Sequence, residues 1–365
     1  MKTVISFFSG AGGMDVGFVR AGFKILWAND HDKFCYETYS KNIGNHIRYG
    51  DISNFFEELS SINTNVDVLI GGPPCQGFSV AGKMDPHDPR SQLVWSFIHG
   101  LRLINPRAFI MENVWALGTL EKWEPLRLEL LNVMKTLGYS VSYIILNASN
   151  FNTPQTRKRI FFIGFKTDEF ILPNLEQMIK PYIIKAKTVR EVLSFLDRAG
   201  TGNNKHKCKS RVVLATKPVL NNSPYVGMLF NGRGRPVRLD GYCSTLSASG
   251  GNMIPIIDEE ELYNKKPAWV EEYYAGLMKG EPVPQSKEAP PFLRRLTIEE
   301  AMAIQTFPQE FIFYGFPSSI YRQIGNAVPC ELAYQIARMM SEYLSYDNLE
   351  DKLISIKSKK PNKHS

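Results

Sequence analysis

Residues 4–22 read VISFFSGAGGMDVGFVRAG, which is a short apolar run, a glycine-rich turn and then a helical pattern. The run Val4–Phe8 has the length and composition of a buried strand, and the glycines allow the backbone to turn sharply after it. A helix is expected over Met14–Ala21, where Gly22 ends it. This order is typical of an α/β fold that turns the positive end of its first helix towards a ligand. Many nucleotide-binding proteins share such a turn, although its spacing differs from the G-x-G-x-x-G of dinucleotide-binding folds.

The alternation of strands and helices continues to about residue 165. Further strands are expected at Ile25–Ala28, Val66–Ile70, Ala108–Met111, Val141–Leu146 and Ile160–Phe165, with helices at Ser91–Ile104 and Leu126–Leu137. This alternation predicts a doubly wound parallel sheet. Residues 200–290 are instead rich in Gly, Pro, Asn and basic side chains, which favours a loop-rich β module. Helical patterns return at Thr297–Gln305 and Glu331–Leu344.

The composition is that of a globular protein. The chain has 365 residues, 44% of them hydrophobic, which is enough for one large domain and a smaller one. It has no run of 18 apolar residues, and its start is too short for a signal peptide, so we expect no membrane span and a cytoplasmic location. Its five cysteines are scattered without a C-x-x-C pair, which argues against a disulfide framework or a metal site.

The net charge of +7 is unevenly distributed. Residues 180–240 hold 13 Lys or Arg against three acids, and residues 352–365 hold five lysines and no acid. The rest of the chain is therefore acidic. A basic middle segment indicates a surface that faces DNA or RNA, although a solvated basic face would have the same composition.

Acidic side chains are expected at the ends of two strands. Asp30 follows the second strand, and Asp51 lies where a third strand would end. Because the carboxyl ends of parallel strands meet at one edge of the sheet, the glycine turn and these carboxylates together favour a nucleoside cofactor at that edge. Taken singly, each Asp is equally well explained as a turn or cap residue.

One cysteine and three further ionisable side chains are candidate catalytic residues. Residues 71–79 read GGPPCQGFS and present Cys75 at a strand end, like a nucleophile, although a free cysteine in a loop is more often inert. Glu112 follows another strand, where burial could protonate it so that it donates a hydrogen bond to a ring nitrogen. Residues 155–159 read QTRKR, in which Arg157 and Arg159 alternate and could hold a carbonyl oxygen or a phosphate. A solvated strand entry is the alternative for this basic cluster.

Taken in order, these segments resemble the DNA cytosine-5 methyltransferase family of bacterial restriction-modification type. The resemblance covers nearly the whole chain and rests on FSGAGG (8–13), PPCQ (73–76), ENV (112–114), QTRKR (155–159), RRLT with QTFP (294–297 and 305–308), and QIGNAVP (323–329). It implies a Rossmann-like, S-adenosylmethionine-dependent methyltransferase sheet with a smaller, loop-rich β target-recognition domain. The expected ranges are 1–180 for catalysis and cofactor binding, 181–293 for target recognition, 294–346 for a segment that returns to the catalytic domain, and 347–365 for a disordered basic tail.

The resemblance also implies a cofactor, S-adenosyl-L-methionine, with S-adenosyl-L-homocysteine as its product. The glycine turn would cradle the amino-acid part of the cofactor, Asp30 would bind the ribose, and Asp51 with Ile52 would read the adenine. The expected cofactor-binding residues are Phe8, Gly10, Ala11, Gly12, Gly13, Asp30, His31, Asp51, Ile52, Pro74, Asn326, Ala327 and Val328. The sequence departs from many relatives at Ser6, Asp30, His31, Glu299 and Ala303.

The implied reaction transfers the methyl group to carbon 5 of a cytosine that is flipped out of a specific double-stranded DNA sequence. Cys75 would add to carbon 6, Glu112 would contact N3 and the exocyclic amine, and Arg159 with Arg157 would hold O2. The expected DNA-binding residues are Gln76, Ser79, Arg233, Arg235, Arg238, Thr245 and Leu246. For any one of these arginines, a phosphate contact is as well supported as the reading of a guanine.

The resemblance leaves the biological setting open. A nearby restriction endonuclease and a monomeric state are the corresponding expectations. The alternatives are a tRNA cytosine-5 methyltransferase, a DNA-binding scaffold without activity, and a nicotinamide-dependent oxidoreductase. The chain lacks the Cys-Phe-Thr element of the tRNA branch, and it retains Cys75, Glu112 and both arginines, which argues against a scaffold. The glycine spacing disfavours the oxidoreductase.

Overall fold

The computed structural model describes residues 1–62, 65–74, 93–166, 174–206, 237–247, 256, 275–276, 278–281 and 294–345, together with the backbone of 211–213, 255, 257, 286–288 and 293. The described residues divide into two compact units. The first lies within Met1–Phe151, Lys158–Ile184 and Cys330–Ser365, and the second within Asn152–Arg157 and Lys185–Pro329. The chain thus returns to the first unit at Cys330. The assignment of 1–180, 181–293 and 294–346 to separate functions stays a prediction, and the tail 347–365 lies outside the described residues.

Seven strands of the first unit form one sheet, in the order β3-β2-β1-β4-β5-β8-β6. Neighbours among β1 to β5 are parallel. The expected α/β sheet is therefore confirmed, with strands within a few residues of the expected positions. The bounds are β1 Thr3–Phe7, β2 Lys24–Asp30, β3 Ile47–Tyr49, β4 Val68–Gly71, β5 Ala108–Val114, β6 Tyr139–Asn147 and β8 Lys158–Lys166.

The end of this sheet departs from the fully parallel arrangement that the alternation suggested. Strand β8 lies between β5 and β6 and is antiparallel to both. Only residues 148–157 connect β6 to β8, which is fewer than the dozen or more that a parallel crossover needs, so the chain turns back. As a result, β8 pairs with β5 along its length, and the start of β8 lies beside the end of β5.

Helices pack around this sheet and close its core. Phe7, Phe97 and Phe109 are fully buried and meet edge to face, at ring-centroid distances of 6.2 and 6.3 Å. The helices of the first unit are α1 Gly13–Arg20, α2 Lys33–Asn42, α3 Phe56–Ser60, α4 Leu93–Ile104, α5 Trp115–Thr119, α6 Glu124–Thr136, α7 Leu175–Ile179 and α11 Cys330–Tyr343. Three-residue and four-residue 3-10 helices occupy Ile52–Phe55, Glu121–Trp123, Ala148–Asn150 and Lys180–Tyr182.

The C-terminal helix α11 packs closely on α1. A Cβ atom added to Gly17 would lie 2.5 Å from the backbone nitrogen of Tyr334, so only glycine allows this approach. Arg20 extends the contact: it forms an ion pair with Glu331 at 2.7 Å and lies over the ring of Tyr334. The segment after Pro329 therefore belongs to the first unit.

The second unit is built from short elements. Strands β7 Gln155–Thr156 and β10 Cys243–Ser244 pair in parallel, whereas β9 Arg211–Val213 with β12 Ser286–Glu288, and β11 Pro255–Ile257 with β13 Leu293–Arg295, pair antiparallel. Its described helices are α8 Val189–Leu193, α9 Ile298–Ile304 and α10 Pro317–Asn326. Helix α9 begins with a capping box between Thr297 and Glu300.

Two negative findings concern the described part of the chain. It contains no helix that is long and apolar enough to span a bilayer. In the same residues, no three His, Cys, Asp or Glu side chains converge in a way that would suit a metal ion. Cys35, Cys243 and Cys330 are buried and are not in disulfide bonds.

Candidate active site

The glycine turn lies between β1 and α1 at the carboxyl edge of the sheet. Phe8, Gly10 and Gly12 all have positive φ, of 53°, 56° and 87°. At Gly12 an added Cβ atom would lie 2.2 Å from Cδ1 of Ile43, so the turn needs glycine for space as well as for conformation. At Gly10 an added Cβ atom would meet nothing within 4 Å, which leaves open space above the turn. Ala11 and Gly13 are buried.

Asp30 ties the end of β2 to this turn. Its carboxylate accepts hydrogen bonds from the backbone N–H of Gly10 and of Asp32, both at 2.8 Å. Asp30 is buried, and burial raises its pKa although these bonds oppose the rise. His31 is exposed, with Nδ1 3.8 Å from the Asp30 carboxylate. The glycine turn and Asp30, both expected to bind the cofactor, are thus linked by a hydrogen bond.

The third strand end is less enclosed. Asp51 is exposed and caps the 3-10 helix Ile52–Phe55, where hydrogen bonds from Ser53 lower its pKa. The backbone N–H of Gly50 donates to the carbonyl of Asp30 at 3.1 Å, which links this strand end to the previous one. Ile52 is only 1% exposed and belongs to the hydrophobic core, so it offers a ligand almost no surface.

Glu112 and Arg159 form an ion pair at the other half of this edge. Arg159 Nε lies 3.0 Å from Glu112 Oε1, and both side chains are nearly buried, at 13% and 11% exposure. In the β5–β8 register Glu112 is opposite Phe161, so Arg159, two residues away, projects on the same face as a diagonal neighbour. The antiparallel β8 therefore makes this pair.

The segment that leads to Cys75 passes beside this pair. An added Cβ atom at Gly72 would lie 3.1 Å from Glu112 Oε2, and Asn113 Nδ2 donates to the carbonyl of Pro73 at 3.2 Å. Pro74 is half-buried at the end of the described segment. Cys75 itself, together with Gln76, Ser79, Arg233 and Arg235, lies outside the described residues, and the roles expected for these five stay predictions.

Arg157 has different partners from Arg159. It belongs to the second unit, is 1% exposed, and donates to the carbonyls of Leu246 at 3.1 Å, Gly325 at 2.8 Å and Asn326 at 3.4 Å. The last two carbonyls lie at the C-terminal end of α10, where a cation is favourable. The observed contacts of Arg157 are thus structural, and a contact of Arg157 with a base stays a prediction.

Two glutamines extend this network within the second unit. Gln155 Nε2 donates to Gln305 Oε1 at 2.6 Å, and Gln305 Nε2 donates to the carbonyls of Ile324 and Ala327 at 2.9 and 2.6 Å. Gln155 and Gln305 are completely buried. The network fixes the turn after α10, in which Asn326 is exposed and Val328 is buried.

The described part of the expected DNA-binding set also lies in the second unit. Thr245 is exposed and its hydroxyl donates to the carbonyl of Thr156 at 2.9 Å, whereas Leu246 is buried and its N–H donates to Gln155 Oε1 at 3.2 Å. Arg238 is exposed. Of these three, Arg238 and Thr245 are open to a partner, whereas the side chain of Leu246 serves packing.

Comparison with known proteins decides the family. The family model described as "C-5 cytosine-specific DNA methylase" matches residues 2–342. The type II methyltransferase M.FnuDI of Fusobacterium nucleatum is 33% identical over 358 residues, covering 94% of this chain and 95% of that protein. M.MthTI of Methanothermobacter thermautotrophicus is 31% identical, covering 93% and 97%. The chain is a member of the C-5 cytosine-specific DNA methylase family. It is a DNA cytosine-5 methyltransferase.

Solved structures agree with this fold. Dnmt2 methyltransferase of S. pombe superposes with a TM-score of 0.66 at 18% identity, covering 94% of this chain and 99% of that one. EhMeth of Entamoeba histolytica superposes with a TM-score of 0.65 at 20% identity, covering 94% and 99%. At these identities the likeness concerns the fold alone.

Sequence reasoning found the charged pair of this methyltransferase but missed the two buried glutamines. Gln155 and Gln305 each occur in a segment that carried the resemblance, yet no role was expected for either. A polar side chain among apolar neighbours is a signal for a buried hydrogen-bond partner. Gln155 and Gln305 are 150 residues apart in the sequence, and a single sequence does not show that they are partners.

Proposed function

We propose that this methyltransferase transfers the methyl group of S-adenosylmethionine to a cytosine turned out of double-stranded DNA, with Cys75 as the nucleophile. The observation that carries the proposal is the Glu112–Arg159 ion pair, which lies beside the segment leading to Cys75. An acid and a guanidinium in contact on one sheet face match the polar edge of a cytosine, which has a ring nitrogen, an amine and a carbonyl oxygen in a row.

The chain supplies groups for each stage of the reaction at the base. The Cys75 thiolate forms a bond to carbon 6, the C5–C6 π pair becomes a C4–C5 double bond and the C4–N3 π pair moves to N3, which makes carbon 5 nucleophilic. Glu112, once protonated, gives its proton to N3 and accepts a hydrogen bond from the exocyclic amine, and Arg159 donates to O2, where negative charge develops. The proton returns from N3 to Glu112 when the product forms. After methyl transfer, carbon 5 loses its proton to a base outside these residues, and the sulfur–carbon bond to Cys75 breaks to release 5-methylcytosine.

Arg159 has donors available for O2. Its Nε is engaged with Glu112 and its Nη1 donates to the carbonyl of Lys158 at 2.8 Å. Within the described part of the chain, its Nη2 amine has no hydrogen-bond partner, and the neighbouring Glu112 holds the guanidinium in place. The donor is thus oriented before substrate binds, which is what electrostatic stabilisation requires.

The carboxyl edge of β1 and β2 fits S-adenosylmethionine. When bound, this cofactor supplies an electrophilic methyl group on a sulfonium. The open space above Gly10 admits the amino-acid part, and the carboxylate of Asp30 keeps lone pairs for the ribose hydroxyl groups. Phe8, His31, Asp51 and Pro74 border the same strand ends, and Asn326, Ala327 and Val328 complete the set proposed from the sequence.

The basic stretch 180–240 is the proposed DNA-recognition surface, together with Thr245 just beyond it; Arg238 and Thr245 are the exposed, described members of the expected DNA-binding set. The names of the curated relatives, type II methyltransferases, support a role in protecting DNA from a partner restriction endonuclease. We propose a monomer as the working form.

The test is a covalent trap combined with methyl transfer. Duplex DNA containing 5-fluorocytosine should become covalently attached to the wild type, because fluorine cannot leave carbon 5 as a proton does. Cys75→Ser should abolish both attachment and transfer of labelled methyl groups while leaving binding of S-adenosylhomocysteine within about threefold. Cys208→Ser, the same change at another cysteine of the sequence, is the matched control and should behave as the wild type.

The opposite outcomes separate the alternatives. Full activity of Cys75→Ser would remove the assigned nucleophile. Methyl transfer to tRNA but not to duplex DNA would favour the tRNA branch. Binding of DNA with neither transfer nor attachment in the wild type would favour an inactive scaffold.

A further inference from the structure

A buried carboxylate lies directly beneath the glycine turn. Asp15, in the first turn of α1, is 0% exposed. Its Oδ2 accepts a hydrogen bond from the hydroxyl of Ser6 at 3.0 Å, and its Oδ1 accepts one from the hydroxyl of Tyr39 at 2.8 Å. Among the described residues, no Lys, Arg or His comes within ion-pair distance of it. Burial of a carboxylate without a cation is unfavourable, and the reaction proposed above gives Asp15 no task.

Ser6 connects this carboxylate to the turn. Because Ser6 donates its hydroxyl proton to Asp15, its oxygen can accept from the hydroxyl of Ser9, which is 3.1 Å away and also lies 3.2 Å from the carbonyls of Ser6 and Asn29. Ser9 Oγ in turn accepts from the N–H of Asn29 at 3.3 Å. Ser6 and Ser9 therefore connect Asp15 to the end of β2 through hydrogen bonds.

The same serine holds the turn itself. The carbonyl of Ser9 accepts from the N–H of Gly12 at 2.9 Å, and the N–H of Ser9 donates to the carbonyl of Asn29 at 2.9 Å. Ser9 also immediately precedes Gly10, whose N–H is bound by Asp30. The orientation of Ser9 thus controls how the turn faces the open space above Gly10.

We propose that Asp15 is a positioning residue for the methyl-donor cofactor: its carboxylate orders the hydroxyl groups of Ser6 and Ser9 and so keeps the glycine turn in its binding form. The proposal rests on the proposed use of this turn for S-adenosylmethionine. Asp15 makes no contact with the cofactor and acts only through Ser6 and Ser9.

A pH dependence follows from this arrangement. Burial raises the pKa of Asp15 to about 6, although the bonds from Tyr39 and Ser6 oppose the rise. When pH falls below this value, Asp15 takes up a proton and loses the charge that holds the Ser6 hydroxyl as its donor, so the turn is less well ordered and cofactor affinity falls. The stability of the folded state depends on pH in the opposite direction. An acid whose pKa is raised in the folded state stabilises it at low pH, and this stability is lost as pH rises through 6.

Other charged and titratable groups lie around Asp15, on each element that packs against it. His46 Nε2 is 3.1 Å from the hydroxyl of Tyr39, and burial lowers the pKa of His46. The remaining groups are Asp30 at the end of β2, Cys330 and Glu331 on α11, and Arg20 on α1, which is paired with Glu331. A pH profile of the wild type alone is therefore not sufficient.

The experiment measures binding of S-adenosylhomocysteine to the full chain by calorimetry between pH 5 and 8, alongside thermal unfolding at each pH. In the wild type, affinity should fall about tenfold per pH unit below pH 6. Asp15→Asn should bind weakly at every pH, without this dependence. Tyr39→Phe should move the midpoint to higher pH, because the lost hydrogen bond is one that lowers the pKa of Asp15. His46→Gln should leave the midpoint unchanged.

Ser6→Ala separates positioning from a purely structural role. It cuts the connection to the turn and leaves the carboxylate in place, so it should remove the pH dependence of binding while unfolding still depends on pH. It also keeps the proposal testable if Asp15→Asn fails to fold. The proposal is overturned if Ser6→Ala keeps the wild-type binding profile, or if the midpoint follows His46→Gln. If the folded wild type binds no ligand at any pH, the proposed cofactor site fails, and this inference fails with it.

Discussion

At the scale of single residues, the central feature is that Glu112 and Arg159 touch. The sequence indicated both side chains from their places at strand ends, and it also suggested that Arg157 and Arg159 would act on one face. The structure gives them separate partners, because the chain passes from the second unit to the first between Arg157 and Lys158. A one-residue alternation could not reveal that boundary.

Arg159→Ala should lower kcat for methyl transfer by about 10²-fold to 10³-fold, as expected when a preorganised donor to a developing oxyanion is removed. The dissociation constant for DNA should change much less. Lys158→Ala is the matched control, because the neighbouring Lys158 is exposed and lies on the other face of β8. Equal losses of kcat and DNA affinity in Arg159→Ala would instead indicate a phosphate contact. The readouts are single-turnover transfer of labelled methyl groups and equilibrium DNA binding.

At the scale of elements, Arg157 and Gln305 show how short segments of the second unit are held. Arg157 acts as a cationic cap for α10, and its other hydrogen bond reaches the carbonyl of Leu246. This gives the second unit order that its sequence, rich in glycine and proline, did not predict. The stabilising bonds end on backbone carbonyls, which carry no side-chain signal.

Arg157→Ala should lower the free energy of unfolding by about 3 kcal/mol, because it leaves buried carbonyls without donors. The free energy of unfolding of Arg157→Lys should lie between those of the wild type and Arg157→Ala. The ammonium group keeps the charge, but it lacks the planar guanidinium that donates to two segments. Arg190→Ala, which breaks an exposed pair with Asp240, serves as the control and should leave the free energy of unfolding almost unchanged. Urea unfolding measures all three. Unchanged stability with lost activity in Arg157→Ala would assign this residue to the base instead.

The strands and helices of the first unit were predictable because their apolar periodicity is local. The direction of β8 was not recognised, although the short connection 148–157 held the information. The close packing of α1 on α11 was beyond prediction for another reason. Gly17 looks like an ordinary helical glycine until Tyr334 is placed beside it.

At the scale of the whole molecule, the uneven charge matters most. The basic stretch 180–240 contrasts with the acidic remainder, so DNA should meet one part of the surface and release counterions there. Cofactor binding at the sheet edge involves few charges and should respond little to salt.

Raising salt from 50 to 200 mM should weaken DNA binding by about 10³-fold or more if six or more phosphates are neutralised, while the affinity for S-adenosylhomocysteine stays within about twofold.

Arg238→Ala tests the nature of one contact. A phosphate contact should reduce the slope of log affinity against log salt by about one, whereas a guanine contact should relax the sequence preference. Fluorescence anisotropy with two duplexes of different sequence distinguishes these outcomes, and an unchanged slope with unchanged preference would exclude Arg238 from the interface.

The two ends of the described chain lie close together, and this has a consequence for the gene. Lys2 Nζ donates to the hydroxyl of Ser345 at 2.8 Å, and Arg107 binds the carbonyl of Leu344, so residues from opposite ends of the described chain are neighbours. A short peptide could therefore join residue 345 to Met1, and new ends could be opened in a surface connection elsewhere. A gene with its segments rotated in this way would encode the same sheet.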